Sequence, residues 1–494
     1  MSSPSIDPRT PVLVGAGQVV QHVTGIDDAL DPSALMAEAA RRAATDAGLD
    51  TVPAVDSVRV IGLLSWRYGD PGAVVAQQLG LSPRQTAVTP MGGNGPQSLV
   101  NTTATQIARG ELDVALLVGG ECSRTRRRAR AAGVELAWPT APDGRVPDVI
   151  GDDLEMSHPV EQTHRIYLPV QVYPMFETAL RAAAGRSPAQ HVAAISDLWS
   201  RFSEVAATNP FAWSRTARTA AEIAAPSPDN RMIGLPYTKY MNSNNDVDMS
   251  AALLMCSAAT ATTLGVPRDR WVFPQSGTDC HEHNFISHRW SFDRTPAIEL
   301  GGRMALDLAG VGIDDVDLVD LYSCFPAAVQ LGAQSLGLPL DRQLTRPGGL
   351  PFAGGPWNNY VMHAIATVMR ELRDGTGSTA LVWANGGFAT KHAFGVYRTE
   401  PAPHGFRHGS PQETVDALPR RELVDDHDGP STVEAYTVLH DRDGAPETAI
   451  AACLTDDGRR AWAVSPNRDI AAALCEGEWV SRRVRRAADA TLRV

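Results

Sequence analysis

Cysteine is scarce and scattered in this chain: six in 494 residues, at Cys122, Cys256, Cys280, Cys324, Cys453 and Cys475, with no CxxC pair. That pattern excludes a disulfide framework and a structural zinc site, and it predicts reduced thiols. Basic residues are also in deficit, 44 against 56 acidic ones for a net charge of −12. Nonspecific binding to nucleic acid or to an anionic membrane is therefore not expected. No apolar run reaches the roughly 18 residues that a membrane span needs, and the start MSSPSIDPRTPVLVGAG lacks a basic segment leading into an apolar one. A cytoplasmic protein with small-molecule partners is expected. What is present is a globular composition, 43% hydrophobic and 20% charged, with 42 Gly and 35 Pro that follow no period. Collagen, coiled coil and low-complexity linker are excluded, and the length predicts roughly two to four domains.

A long helical pattern, a Val-Asp step and a buried strand occur twice in the same order. The first copy is DPSALMAEAARRAATDAGLDTVPAVDSVRVIG from Asp31 and the second is TPAIELGGRMALDLAGVGIDDVDLVDLYS from Thr295. Each helix is expected to open on a capping Asp31 or Thr295 followed by Pro32 or Pro296, and to stop at Gly48 or Gly310. ATQIARGELDVALLVGG, ending at Gly120, is echoed by AIATVMRELRDGTGSTALVWANGG, ending at Gly387, at nearly the same separation along the chain. Val/Leu-rich runs at Val12 to Val14, Val114 to Val118 and Ala380 to Trp383 alternate with amphipathic helices, as buried, mainly parallel strands do. Two similar α/β halves are predicted, residues 10–265 and 266–400. The first carries a Pro-rich, irregular insertion over residues 122–231 that is expected to cap the site, and its last strand resumes at Ala251 to Ser257. Beyond Tyr397, HGFRHGSPQET reads as a linker. Residues 411–494, with VEAYTVLH, TAIAACLT and RRAWAVS separated by HDRDGAP and DDGR, read as a small antiparallel β-barrel.

Glycine-rich steps punctuate both halves: MGGNGPQS around Gly93, Gly119-Gly120-Glu121, GGLPFAGGPWNN from Gly348, and Asn385-Gly386-Gly387 after the ALVWA strand. Tyr322-Ser323-Cys324-Phe325 follows the VDLVDLY strand. With the duplicated layout, these steps resemble the thiolase superfamily. Within it they are most similar to the sterol-carrier-type thiolases and to the type 1 thiolase-like proteins of actinobacteria with an additional C-terminal β domain. The resemblance covers roughly residues 10 to 400 and implies a duplicated, layered αβαβα fold.

The resemblance also implies what is missing. Thiolases place a nucleophilic Cys at a helix N-terminus, a His in a Gly-His-Pro loop and an acid/base Cys in a Cys-x-Gly turn. Those places are held here by Gly93 (with Gly92 as the one-residue alternative), by Gly355 between Gly354 and Pro356, and by Asn385. A fourth motif is Asn-Glu-Ala-Phe in thiolases and His-Asp-Cys-Phe in the sterol-carrier branch, and only its Cys-Phe half survives, as Cys324-Phe325. The flanking Gly92, Gly354 and Gly386 are expected to bind substrate, coenzyme A being a substrate moiety rather than a cofactor. No metal is expected.

Of the polar groups that remain, Cys324, Tyr322 and His392 are candidate catalytic residues, Cys324 because it sits at the C-terminal edge of a predicted strand. Buried-thiol, aromatic-lining and structural-histidine roles are the alternatives, and Tyr237 and Tyr240 share the second. CHEHNFISH, Cys280 to His288, has metal-binding residue types without a ligand spacing, and reads as a loop rim. Arg124, Arg126, Arg127, Arg128 and Arg130 could meet phosphates or local acids, and Asp246 and Asp248 read as loop pins. The strand QTAVTPMGG corresponds to the edge through which thiolases dimerise. Pro90 and the glycines weaken pairing there, which favours a monomer over a homodimer. The expected function is a thiolase-like, acyl-CoA-binding member of the acetyl-CoA acyltransferase family that takes part in lipid metabolism without ordinary thiolase activity. Its rivals are an aldolase-type C–C lyase and a non-catalytic scaffold.

Overall fold

The computed structural model describes residues 6–142 and 144–493. The first sheet is ordered Pro11–Val20, Asp248–Ser257, Val114–Cys122, Ser57–Val60, Gln85–Val88, Asp148–Val149. The second is ordered, from its other end, Phe273–His281, Lys391–Arg398, Thr379–Gly386, Leu318–Leu321, with Arg407–Gly409 added beyond Phe273–His281. The first four strands of each series pair in the same senses: antiparallel, antiparallel, then parallel. The repeated sequence segments fall on matching elements. Helices Pro32–Asp46 and Pro296–Ala309 precede the parallel strands, and Gly95–Ala108 and Tyr360–Arg373 precede Val114–Cys122 and Thr379–Gly386.

Small residues let the layers close. A Cβ built at Gly15 or Gly17 of the first strand falls on the carbonyl oxygen of Ala43 or Ala39, so the Ala-rich helix rests on bare backbone. In the second sheet the relation is inverted. Gly301 and Gly302 lie on the helix, and a Cβ at Gly301 would stand 2.8 Å from the Phe394 ring. Helices Gly95–Ala108 and Tyr360–Arg373 lie between the sheets and tie them together. Asn101 donates to the carbonyls of Thr278 and Phe394 in the second sheet, and His363 meets Gln18 of the first at 2.8 Å.

Helix starts follow the sequence with one exception. Asp31 accepts from Ser33 N and Ala34 N, but Thr295 makes no capping bond, and Glu282 Oε1 accepts from Ala297 N at 2.8 Å instead.

Two further expectations are corrected. Residues 122–231 are not irregular: they carry helices Ser123–Ala132, Pro159–Thr163, Pro169–Ala183, Pro188–Thr208 and Ala220–Ala224. Pro159, Pro169 and Pro188 sit at first helical positions, where a missing N–H has no partner to lose, so here proline starts helices. The linker after Tyr397 is also structured. Arg407–Gly409 joins the second sheet, and Gln412–Asp416 forms a short helix that buries Val415 against Cys280 and Ala297.

The C-terminal segment is an antiparallel sheet ordered Arg460–Ser465, Pro446–Thr455, Gly429–His440, Arg483–Arg486, Leu492–Arg493. Met232–Gly234, directly after the insertion, pairs with its longest strand at Leu439. No strand ladder closes this sheet among the described residues. It is fastened by Arg460, which grips Glu434 through two nitrogens and donates to the Ile286, Ser287 and Arg289 carbonyls.

Candidate functional site

The N-terminus of helix Gly95–Ala108, the loop after strand Leu318–Leu321 and the turn after strand Thr379–Gly386 converge on a cavity of about 430 Å³. Gly92, Gly93, Tyr322, Cys324, Asn385 and Gly386 all line it. The insertion closes it with Tyr167, Leu168 and Tyr173, and the segment that follows it adds Asn242, Ser243 and Asn245. Four of the lining side chains, Met91, Tyr167, Leu168 and Trp357, are large apolar groups at least 38% exposed, which gives the cavity a greasy mouth.

The space beside Gly93, where the resemblance expects a nucleophile, is occupied. A Cβ built at Gly93 lands on the Tyr322 hydroxyl, 2.7 Å from Tyr322 Cζ and 2.5 Å from the Asn385 carbonyl oxygen. The Tyr322 phenol therefore fills the space a residue-93 side chain would need. Burial pushes its ionisation far above the ordinary phenol range, so it is a proton donor and not a phenolate. The place of the missing histidine is occupied too: a Cβ at Gly355 would stand 2.8 Å from Asn245 Oδ1. Gly355 N donates to the Asn244 carbonyl at 2.9 Å, so Gly354 and Gly355 lie behind Asn245 and off the cavity wall.

Asn385, in the place of the acid/base thiol, donates from Nδ2 to Tyr173 Oη at 2.9 Å, leaving its Oδ1 buried without a partner. Tyr173 also accepts from Ala389 N, donates to the Gly387 carbonyl and stacks on Phe325 at 4.5 Å. One helix of the insertion thus braces both loops. The Cys324 thiol is pushed up to about 12 by burial, so it stays protonated at neutral pH.

His392 lies on the other side of its strand. Its ring stacks on Trp383, 5.8 Å between centroids, and Nδ1 accepts from Trp383 Nε1, on the face turned to the outer helices. Desolvation holds it neutral. It is not on the wall of the central cavity. Tyr237 lies beneath the cavity and donates to buried Glu177, while Tyr240 stacks under the Arg218 guanidinium at 4.0 Å. The arginine run is largely committed to the chain itself: Arg127 pairs with Asp246, Arg126 donates to the Leu64 carbonyl, Arg128 to those of Val23 and Thr24, and Arg124 lies over Trp213. Asp248 pins Thr125 through its N–H and hydroxyl. The CHEHNFISH histidines diverge, His281 to the Glu282 carbonyl, His283 to that of Leu418 and His288 towards His158.

Sequence reasoning missed Tyr173, Asn245 and Trp357. Asn245 lies within the NSNND step, where attention to Asp246 hid the asparagine beside it.

Residues 411–491 match the family model described as the thiolase-like protein type 1 additional C-terminal domain. No curated protein matches the chain in sequence. Among solved structures, a monomeric SCP2-thiolase-like protein type 1 from Mycobacterium smegmatis is 34% identical, with a TM-score of 0.84 over 97% of each chain. The Ltp2-ChsH2(DUF35) aldolase is 16% identical, with a TM-score of 0.59 over 79% of this chain and 98% of that one. The acetyl-CoA acetyltransferase of Syntrophomonas wolfei is 16% identical, with a TM-score of 0.56 over 80% and 100%. The last two share the fold at that level of identity, whereas the first, at 34% identity over 97% of each chain, carries the family: the chain belongs to the SCP2-thiolase-like proteins of type 1.

Proposed function

We propose that the central cavity binds an acyl-CoA or a similar pantetheine-linked thioester, and that the chain does not carry out ordinary thiolysis. The observation that carries this reading is the occupancy of the Gly93 space by Tyr322 inside a cavity that is still open and apolar at its mouth. Claisen chemistry needs a covalent thiolate acceptor and a base that moves the second proton. Gly93, Gly355 and Asn385 supply neither, and Cys324 is held as a thiol. Titration calorimetry with CoA and with a medium-chain acyl-CoA, beside a 3-ketoacyl-CoA thiolysis assay, tests it. Binding without turnover is the expected result, and rapid thiolysis refutes the reading.

A second reading, a C–C lyase of aldol type on an acyl-CoA, is favoured by the Tyr322 hydroxyl, a buried proton donor facing the cavity. Release of a ketone or aldehyde from a β-hydroxyacyl-CoA would distinguish it. A monomer in the cytoplasm is also proposed. It is supported by Asp148–Val149, which pairs along the outer side of Gln85–Val88, the edge where a second copy would add. The C-terminal sheet is proposed to curl towards a barrel, since Val464 N at one end bonds the Ala490 carbonyl beside the other at 2.8 Å.

A further inference from the structure

Behind the loop Thr89 to Asn94, a second cavity of about 350 Å³ opens on the far side of Met91, lined by Ser98, Asp279, His281, Lys391 and His408 among others. It unites two sequence motifs that the central cavity leaves unused, CHEHNFISH and Thr390-Lys391-His392. Strand register makes the union direct, because Lys391 is the cross-strand partner of His281.

Lysine is nearly absent from this protein: Lys239 and Lys391 are the only two in 494 residues. Lys239 is exposed, whereas Lys391 is 5% exposed. Its Nζ donates to the Met91 carbonyl and lies 3.1 Å from the point a Gly92 Cβ would reach, and among the described residues it forms no salt bridge. The positive end of helix Gly95–Ala108 stands beside it, which further disfavours an ammonium. Burial lowers its ionisation from the ordinary lysine range, and the negative charge of nearby Asp153 offsets only part of that fall. An arginine could never shed its proton here, whereas a lysine in this setting can.

We propose that Lys391 is a carbonyl-reactive amine that condenses with a small polar aldehyde or ketone in this second cavity. The uncharged Nζ adds to the carbonyl carbon. His281 donates from Nδ1 to the Glu282 carbonyl at 2.7 Å, which leaves Nε2 unprotonated in the neutral ring. That nitrogen takes the proton released by the amine and passes it to the carbonyl oxygen. Both amine hydrogens end on that oxygen, which leaves as water, so C=O is replaced by C=N and nothing is oxidised or reduced. His408 and Ser98 are held by the Asp279 carboxylate, and Thr102 and Ser410 line the wall, so hydroxyl groups on the carbonyl compound find partners.

The test uses the full chain and does not depend on CoA binding in the central cavity, which calorimetry reads separately. The protein is incubated with propanal or hydroxyacetone, reduced with borohydride and mapped by peptide mass spectrometry. Only the amino terminus, Lys239 and Lys391 can be labelled. The expected result is a reduced adduct on Lys391 formed at least about tenfold faster than on exposed Lys239, with hydroxyacetone preferred, and slowed at Lys391 by His281→Gln. Labelling confined to Lys239 and the amino terminus, or reaching Lys391 only after urea unfolding, overturns the proposal. Loss of the fast adduct in a folded Lys391→Arg variant confirms the assignment. Should that variant not fold, the wild-type map alone decides.

Discussion

Gly93 offers the sharpest test of how tightly Tyr322 fills the space beside it. Its backbone is outside the left-handed region, so Gly93→Ala perturbs packing and not conformation. The new methyl meets the Tyr322 phenol and the Asn385 carbonyl oxygen at distances no Cβ tolerates, and one neighbour must move. Overpacking of this kind costs about 2–3 kcal/mol. Tyr322→Ala, at a side chain 7% exposed, leaves a void that costs about 3–4 kcal/mol. In the double variant the methyl enters space the phenol has vacated, so the combined loss falls short of the sum by about 1–2 kcal/mol. Relief is incomplete because the Asn385 carbonyl belongs to a strand and cannot swing away. Urea unfolding of the four proteins of the cycle, followed by tryptophan fluorescence, measures this coupling. Additivity to within about 0.5 kcal/mol would show that Tyr322 does not fill the position-93 space and would remove the main support for lost thiolysis.

Asp320 is buried with Oδ2 unpartnered, and desolvation pushes its carboxyl up to about 7 from an ordinary value of 3.8. The folded state holds that proton more tightly than the unfolded chain, so the contribution to stability is full below pH 3.8 and is lost as pH rises through about 7. Thermal melts should show wild type falling relative to Asp320→Asn across that window, and parallel profiles would contradict it. Arg460→Met strands the Glu434 carboxylate and should cost about 3–5 kcal/mol in urea unfolding, with much of it recovered by adding Glu434→Leu. A near-neutral single variant would mean that the pair does not fasten the C-terminal sheet.

The duplicated layout was legible because periodicity and stop signals are local. Gly48 and Gly310 both end their helices in the left-handed conformation, and the loops at Gly93, Tyr322 and Asn385 do converge. What escaped was information that only tertiary contact supplies. Thr295 looks like a cap, yet a glutamate thirteen positions earlier does the capping, as no local rule could tell. The Pro-rich stretch expected to be irregular holds prolines that start helices, a distinction that depends on whether the preceding residue is free to be extended. His392 stands off the central cavity for a reason the sequence held: in a strand, neighbours face opposite ways, and its ring turns to Trp383 while Lys391 points to the other face. The scarcity of lysine was visible from the outset, but its meaning depended on finding one of the two buried and, among the described residues, outside any salt bridge.

The short strand Asp148–Val149 has a thermodynamic consequence. Ile150 N bonds the Val88 carbonyl at 3.0 Å and Gln85 reaches Asp148 at 2.7 Å, so the outer side of Ala87 and Val88 is paired by a segment of the same polypeptide. Bonds that a second subunit would supply carry a mass-action term, and their contribution fades on dilution. Supplied from within, these bonds hold at any protein concentration.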